Sequence, residues 1–413
     1  MNKRTLPSSI LLYLVFIAGF SFLIYEVSWF RMLSLVLGAT VKASTIVLVA
    51  FMAGFGSGAW VWGRLASKWN NHSRLLAGLF AAIGITGFLS YFVIQNALPG
   101  FYEFLAESGF KVSTSGWLVL ITGLIFLLIP AFFMGGILPV ASGLFIMSDR
   151  GMAAMIGRIY AWETIGSTLG GLATGFILIR AMGQQNTVFL AAALNLISLI
   201  PLFIFRSPVI IEAENPAPFA SLEKTAHRKV GKKEISNPVE GNRFAALLGT
   251  FIFGLAVLGL QIAWFRIFRI YMTNTSYTFS LIASMVILGL FAGSRYFTSK
   301  GEKMVSSRSM INLILITAAA VFAGFVILMK LPGLIMFPLA GNENAYFMRI
   351  IVVPVISAML VILPVTFLSG FSFPLACALY ARDHHGVSSS IGRILLFNTA
   401  GTVIGPLITA WKT

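Results

Sequence analysis

Two glutamates, Glu26 and Glu163, stand inside long apolar stretches where ionised side chains are rare. Moving such a group into a bilayer costs about 2.5–3.5 kcal/mol on insertion scales, so acidic residues at these positions usually have a functional role. We expect Glu26 to be buried at a substrate cavity. We expect Glu163, just over one turn beyond Arg158 and near the cytoplasmic end of its stretch, to act in gating; the alternative is a structural hydrogen bond.

Three arginines also fall inside apolar stretches: Arg31, Arg266 and Arg269. Arg31 lies about 140° around a helix from Glu26, so these two side chains do not face each other. Our hypothesis is an ion pair across the molecule between Glu26 and Arg266, with the arginines at the cavity. The alternative is that the arginines extend along their helices to the lipid headgroups.

Two tryptophans, Trp29 and Trp264, lie close to these arginines in the sequence. The face of an indole ring attracts cations, so both residues are candidates for the cavity wall. Tryptophan is also enriched where helices meet the membrane–water interface. Interfacial anchoring is therefore the alternative role.

The chain repeats itself at a constant offset of 235 residues. The first copy carries Gly19, Trp29, Arg31, Gly54, Gly58, Gly135, Pro139, Gly157, Arg158 and Thr164, and the second carries Gly254, Trp264, Arg266, Gly289, Gly293, Gly370, Pro374, Gly392, Arg393 and Thr399. Internal repeats of this kind indicate one structural unit present twice.

The second copy has amides where the first has carboxylates. Gln261 corresponds to Glu26, and Asn398 corresponds to Glu163. Both members of each pair can form hydrogen bonds, but only the glutamate carries a charge. We therefore expect the two halves to differ in charge where an asymmetric substrate binds. Arg158 and Arg393 are equivalent basic residues, and we assign both to gating together with Glu163 and Asn398.

Glycines four residues apart recur in both copies. The pairs are Gly54 with Gly58, Gly166 with Gly170, Gly289 with Gly293, and Gly401 with Gly405. Small residues at this spacing let helix backbones approach closely in membranes. We therefore predict that these glycines pack helices together rather than bind a ligand.

The composition indicates an integral membrane protein. Hydrophobic residues make up 58% of the chain and charged residues 10%, and the mean hydropathy is +0.91, whereas soluble domains carry about 25% charged residues. The net charge of +16 does not indicate nucleic-acid binding, because most basic residues sit in short loops between apolar runs. One cysteine excludes an internal disulfide, and four histidines in loops offer no metal cluster. No metal or cofactor is predicted.

Apolar runs of membrane-spanning length follow one another along the chain. They lie near 8–37, 42–63, 74–96, 116–147, 158–180 and 185–205, and then near 244–271, 276–299, 309–330, 346–381 and 391–411. We predict an all-α membrane protein of two repeats, 1–206 and 243–413, joined by a linker at 207–242. The second repeat stops one helix early, and we expect the sequence to be a fragment of a longer chain; the alternative is that the sixth helix was lost.

Six spans return the chain to its starting side, so both repeats enter the bilayer the same way up. Such parallel repeats are related by an axis along the membrane normal, as in the halves of major facilitator transporters. Most Lys and Arg residues fall on the side of the N-terminus. The positive-inside rule therefore predicts a cytoplasmic N-terminus and a cytoplasmic linker.

The sequence resembles the membrane part of fused major-facilitator/spermidine-synthase proteins. The likeness rests on Tyr25-Glu26 with Trp29 and Arg31, on Gly54 and Gly58, on Gly157-Arg158, and on Gly166 with Gly170. It implies a bacterial inner-membrane protein with a fused or associated aminopropyltransferase domain, which is absent from this chain. Ser67 stands where an acidic residue is usual in the facilitator loop between the second and third spans.

Two functions follow as hypotheses. The first is a transporter with a cavity between the repeats; the resemblance implies a polyamine-related substrate, whereas two glutamates against three arginines favour an anionic or zwitterionic one. The second is a non-catalytic membrane platform for an aminopropyltransferase. No grouping of nucleophile and base indicates catalysis within the membrane. The expected partners are the lipid bilayer and a small molecule of unknown identity.

Overall fold

The computed structural model describes residues 6–37, 41–69, 71–109, 112–146, 152–205, 209–210, 240–271, 275–300, 304–336, 352–380 and 387–411. Nine helical stretches within these ranges are long and apolar enough to cross a membrane. So many apolar helices of this length are typical of proteins that cross a bilayer. The protein is therefore an integral membrane protein. Most of the predicted linker lies outside the described residues, and the domain bounds stay a prediction.

The N-terminal half consists of helices separated by short turns. They are α1 (Ser8–Leu37), α2 (Val41–Lys68), α3 (His72–Phe92), α4 (Leu98–Glu107), α5 (Val112–Gly135), α6 (Ile137–Gly143), α7 (Met152–Ala173), α8 (Ile179–Ile197) and α9 (Leu199–Ile204). Two π-helical segments, Val93–Ala97 and Thr174–Leu178, connect α3 to α4 and α7 to α8. Gly183 turns the chain within α8, with a φ of 78° that glycine adopts without strain.

The C-terminal half repeats this order. Its helices are α10 (Glu240–Tyr271), α11 (Thr275–Lys300), α12 (Ser307–Met336), α13 (Val353–Tyr380) and α14 (Val387–Trp411). The offset of 235 residues carries the first residue of α3, His72, onto that of α12, Ser307, and likewise Met152 onto Val387. The described helices therefore confirm the predicted fold of two related units. A two-residue parallel pairing between Phe145–Ile146 and Val209–Ile210 is the described exception to the helical structure.

Contacts between the halves show how the two units are oriented. Helix α2 packs against α14, and the equivalent pair, α7 and α11, packs in the same way. Gly56 faces Thr399, whereas Gly63, two turns later, faces Ser388, so α2 and α14 run antiparallel. Helix α2 is the second membrane-crossing helix of its unit, and α14 is the fifth of the other unit. Successive crossings alternate in direction, so these two helices run antiparallel only if both units have the same orientation. The repeats are therefore parallel.

Glycines mark the closest helix approaches within each half. A Cβ at Gly58 in α2 would collide with the carbonyl of Phe132 in α5, and the same relation recurs between Gly293 and Phe367. Close approaches to neighbouring backbone or side-chain atoms are also made by Gly54, Gly289, Gly166, Gly170, Gly401 and Gly405. Since a side chain at these positions needs space that the neighbouring helix occupies, the glycines set the helix separation.

Replacing Gly58 by alanine should destabilise the fold. The added Cβ would overlap the Phe132 carbonyl, and overpacking of this kind typically costs about 1–3 kcal/mol. Gly78 is the matched control, because a Cβ there meets no atom within 4 Å. Thermal unfolding in detergent should show a lower midpoint for Gly58→Ala and an unchanged or higher one for Gly78→Ala. Equal midpoints would contradict the packing role.

The surface of the helix bundle is apolar. Large hydrophobic side chains point outward, among them Ile270 (76% exposed), Phe322 (70%) and Met329 (66%). Helix α12 is the least buried of the candidate spans. A protein in water would not expose so large an apolar surface, so these side chains face lipid acyl chains.

Candidate functional site

A cavity with a volume of about 170 Å³ lies between the two halves. Its wall is built largely from α1, α2 and α7 of the N-terminal half and from α10, α11 and α14 of the C-terminal half. Most of the lining residues occupy equivalent positions in the two repeats. Four such pairs are Glu26 with Gln261, Phe51 with Val286, Glu163 with Asn398, and Thr164 with Thr399. Equivalent positions can face one space only near the axis that relates the units, so the cavity lies on that axis.

Both buried glutamates face this cavity. Glu26 is 3% exposed and Glu163 is 5% exposed. Among the described residues, Glu163 Oε1 has no hydrogen-bond partner, and Glu26 has no ion pair. Gly19 packs against the Glu163 backbone, and Glu26 lies seven residues further along α1, about 10 Å towards the opposite side of the membrane. The carboxylates thus stand at two levels of one cavity.

The rest of the wall is mostly apolar, with hydroxyls at a few positions. Aromatic rings come from Phe22, Phe51, Phe55, Phe253 and Phe373, and hydroxyls from Tyr160, Thr164, Ser167, Ser369, Thr399 and Thr402. Several of these hydroxyls bond their own helix, and Ser167 donates to the Gly19 carbonyl at 3.1 Å. A concave apolar wall with a few polar groups is typical of small-molecule sites.

The three arginines that we assigned to the cavity do not line it. Arg31, Arg266 and Arg269 are half-buried but lie outside the set of lining residues. Arg266 has an interaction of its own, and the structure records no ion pair between it and Glu26. The reason is geometric: Arg31 and Arg266 stand five residues beyond the cavity carboxylate and amide, on a different face of each helix. The predicted Glu26–Arg266 pair is therefore absent.

The two tryptophans also lie outside the cavity wall. Trp29 is fully buried, its indole N–H donates to Ser90 Oγ at 2.8 Å, and its ring stacks on Tyr25 with centroids 5.3 Å apart. Trp264 is buried and lines a separate apolar cavity together with Val361 and Val365 of α13. Each ring therefore lies among helices of its own half. Neither the predicted cavity role nor anchoring at an exposed interface describes these positions.

Replacing Ser90 by alanine should destabilise the protein and leave solute binding unchanged. The buried Trp29 N–H would lose its acceptor, and an unpaired buried donor costs about 1–3 kcal/mol. Ser67→Ala is the control, because Ser67 is exposed and bonds only its own helix at Gly63. Thermal unfolding and a binding titration on both variants would check this. A weaker affinity in Ser90→Ala would place Trp29 in the binding machinery after all.

The predicted gating residues separate into two groups. Glu163 and Asn398 line the cavity, whereas Arg158 and Arg393 are exposed. Arg393 donates to the Tyr380 hydroxyl at 2.7 Å. Neither arginine faces its predicted carboxylate or amide, because each lies five residues, about 140°, away on its helix. The structure therefore groups Glu163 and Asn398 with Glu26 and Gln261.

Aromatic contacts between the halves lie near both ends of the cavity, and sequence reasoning missed them. Phe30 and Phe279 stack across the halves with centroids 4.0 Å apart, and Phe265 contacts both rings edge-on at 5.9 Å. Phe30 lies one turn beyond Glu26, on the side away from the N-terminus. At the other end, Tyr160 meets Phe373 at 4.5 Å. Phe30 and Phe265 both belong to the Trp-Phe-Arg motif that occurs once in each repeat. This repetition was the sequence signal that could have identified them.

Comparison with known proteins adds the fold's identity. No model of a known protein family matches the sequence, and no curated protein matches it. Solved structures match over nearly its whole length. The human organic anion transporter MFSD10 is 12% identical with a TM-score of 0.52, covering 97% of this chain and 93% of its own. The chain has the major facilitator fold.

Two further structures with the major facilitator fold align equally well. The E. coli fucose:proton symporter FucP has a TM-score of 0.54 at 12% identity, covering 98% of this chain and 92% of its own. The proton:xylose symporter XylE has a TM-score of 0.54 at 11% identity, covering 98% and 88%. These likenesses concern the fold. None of the three supports the resemblance to fused spermidine-synthase proteins.

The described residues contain no grouping of three or more His, Cys, Asp or Glu side chains that could hold a metal ion. The free thiol of Cys377 is buried. Within the described cavity wall, the reactive chemistry is limited to two carboxylates, two amides and several hydroxyls. These groups can bind a solute by charge and hydrogen bonds.

Proposed function

We propose that the protein transports a small molecule by exposing the cavity around Glu26 and Glu163 alternately to the two sides of the membrane. The observation that carries this proposal is the position of the cavity on the axis between two parallel units. Rocking of one unit against the other about such a site opens it to one side while closing it to the other. The aromatic contacts on either side of the cavity are suited to serve as the two closures.

The charge of the cavity wall bears on the substrate. With the three arginines outside the wall, two carboxylates remain and no described basic residue balances them. The charge count that favoured an anionic or zwitterionic substrate therefore loses its basis. A cationic substrate, of which a polyamine-related molecule is one kind, accords better with these carboxylates, because an ionised group in an apolar site needs a compensating charge.

The alternative function, a membrane platform for an aminopropyltransferase, rests only on the sequence resemblance. A platform has no need for a cavity on the axis or for carboxylates facing it without partners. We therefore favour transport. The predicted location in a bacterial inner membrane rests on the sequence resemblance and stays part of the proposal. The predicted cytoplasmic N-terminus and linker rest on the distribution of Lys and Arg.

Flux measurements in proteoliposomes test the proposed function. The purified full chain would be reconstituted and offered one radiolabelled solute at a time: an uncharged hexose, a nucleoside, an aromatic carboxylate, spermidine, and an aromatic monocation. We expect saturable flux of at least one solute that unlabelled solute on the opposite side accelerates, as alternating access requires. Protein-free liposomes are the control. The absence of saturable, accelerated flux for every solute would contradict transport.

A further inference from the structure

We propose that the cavity binds a lipophilic organic cation, meaning a single positive charge carried on an aromatic or apolar body. This inference rests on the proposed transport function and names its substrate class. Three properties of the cavity carry it: the sign of its charge, the chemistry of its wall, and the inequality of its two halves.

The cavity wall carries acidic side chains. Glu26 and Glu163 are both more than nine-tenths buried, and both face the cavity. Among the residues that the structure describes, Glu163 Oε1 has no hydrogen-bond partner. None of the residues described as lining the cavity is Lys, Arg or His. A buried carboxylate without a counterion either binds a proton or is paired with a cation from outside. In our inference the ligand takes the place of that proton and supplies the positive charge.

The wall decides which kind of cation fits. Phenyl rings from α1, α2, α10 and α13 surround the space, and aliphatic side chains such as Leu48, Val257 and Ile287 fill much of the rest. Aromatic faces attract a cation, and apolar surface favours an apolar ligand body. A polyamine would bring several ammonium groups, each needing hydrogen-bond acceptors that an apolar wall lacks. A single charge on a hydrophobic body satisfies both features.

The two halves of the cavity are chemically unequal. The N-terminal half provides both carboxylates and the Tyr160 hydroxyl, whereas Gln261 and Asn398 provide amides at the equivalent positions of the C-terminal half. The attraction for a cation therefore lies on one side of the axis. The charged end of a ligand should lie towards α1 and α7, with its apolar body towards α10 and α11.

Equilibrium binding to the purified full chain tests this inference with four matched probes. They are 1-methyl-4-phenylpyridinium, its uncharged isostere 4-phenylpyridine, the anion biphenyl-4-carboxylate, and spermidine. We expect saturable binding of 1-methyl-4-phenylpyridinium, at least tenfold weaker binding of 4-phenylpyridine and spermidine, and no saturable binding of the carboxylate. Tighter binding of the carboxylate, of spermidine or of the uncharged isostere would overturn the proposal, and so would failure of all four to bind.

Variants locate the binding. Glu163→Gln and Glu26→Gln should each weaken 1-methyl-4-phenylpyridinium at least tenfold, while Glu107→Gln, an exposed carboxylate on α4, should leave it unchanged. Misfolding is not expected, since Gln261 already occupies the position equivalent to Glu26, and a thermal midpoint at or above that of the unaltered protein would verify this. Unchanged affinity in both cavity variants would overturn the site. If another probe binds and is transported, this inference fails while the proposed function stands.

Discussion

A disulfide between cysteines introduced at Gly171 and Ser284 should lower transport at least tenfold, and a reducing agent should restore it. A Cβ on Gly171 in α7 would lie 3.7 Å from the Ser284 Cβ in α11, within the range of about 3.5–4.5 Å that disulfides require. The bond would join the two halves where they must separate. Alternating access requires that separation, so the cross-linked protein should be held in one state.

The measurement is flux of the solute that the reconstituted protein transports, before and after reduction. A matched control is a pair of cysteines at Gly324 and Val361, on α12 and α13 of the same half. A Cβ on Gly324 would lie 3.2 Å from Val361 Cγ1 and 3.8 Å from its Cα, so a bond there is also feasible. It joins helices that move together, and flux should persist. Equal inhibition by both cross-links, or by neither, would contradict rigid movement of the halves.

Replacing both cavity carboxylates should strongly lower transport of a charged solute. The variant Glu26→Gln/Glu163→Gln would present an amide at all four equivalent positions, with Gln261 and Asn398 opposite. The cavity would keep its shape and hydrogen-bonding groups but lose its two described charges. We expect flux to fall at least tenfold, about 1.4 kcal/mol, and the two losses need not add because both carboxylates act on the same bound solute.

The control for this variant is Glu103→Gln/Glu107→Gln, which removes two exposed carboxylates from α4. Flux of that protein should match the unaltered one. The thermal midpoint of the cavity variant should not fall, because removing buried charges without partners removes a desolvation cost. Flux within a few-fold of the unaltered level would mean that the carboxylates do not bind the transported solute.

The sequence predicted the architecture well because its signals came from packing. The pairs Gly58 with Gly293 and Gly166 with Gly401 keep their spacing, since each must admit a neighbouring backbone. A constant offset between such positions specifies equivalent helices, and an even number of crossings specifies a parallel arrangement. These features do not depend on which solute the protein binds. Gly58 and Gly166 also contributed to the resemblance to spermidine-synthase fusions, so part of that resemblance reported packing.

The site was predicted only in part. Sequence reasoning selected Glu26 and Glu163 because ionisable groups are costly inside membranes, and Gln261 and Asn398 because the repeat places them at the equivalent positions. All four line the cavity, and their role in binding stays a prediction. Whether a side chain faces the axis, a neighbouring helix or lipid depends on how helices rotate when they pack. Sequence spacing gives angles within one helix but not that rotation. For this reason Arg266 was placed at the cavity and the Phe30–Phe279 contact was not foreseen.

The most direct test of the central claim is thiol accessibility at the cavity. Gln261→Cys would be introduced with the buried Cys377 replaced by alanine, and sealed right-side-out and inverted vesicles would be treated with a membrane-impermeant cationic thiol reagent. Alternating access predicts that Gln261→Cys reacts from either side and that prior reaction from one side blocks the other. Reaction from one side alone, or from neither, would contradict a cavity that opens alternately across the membrane.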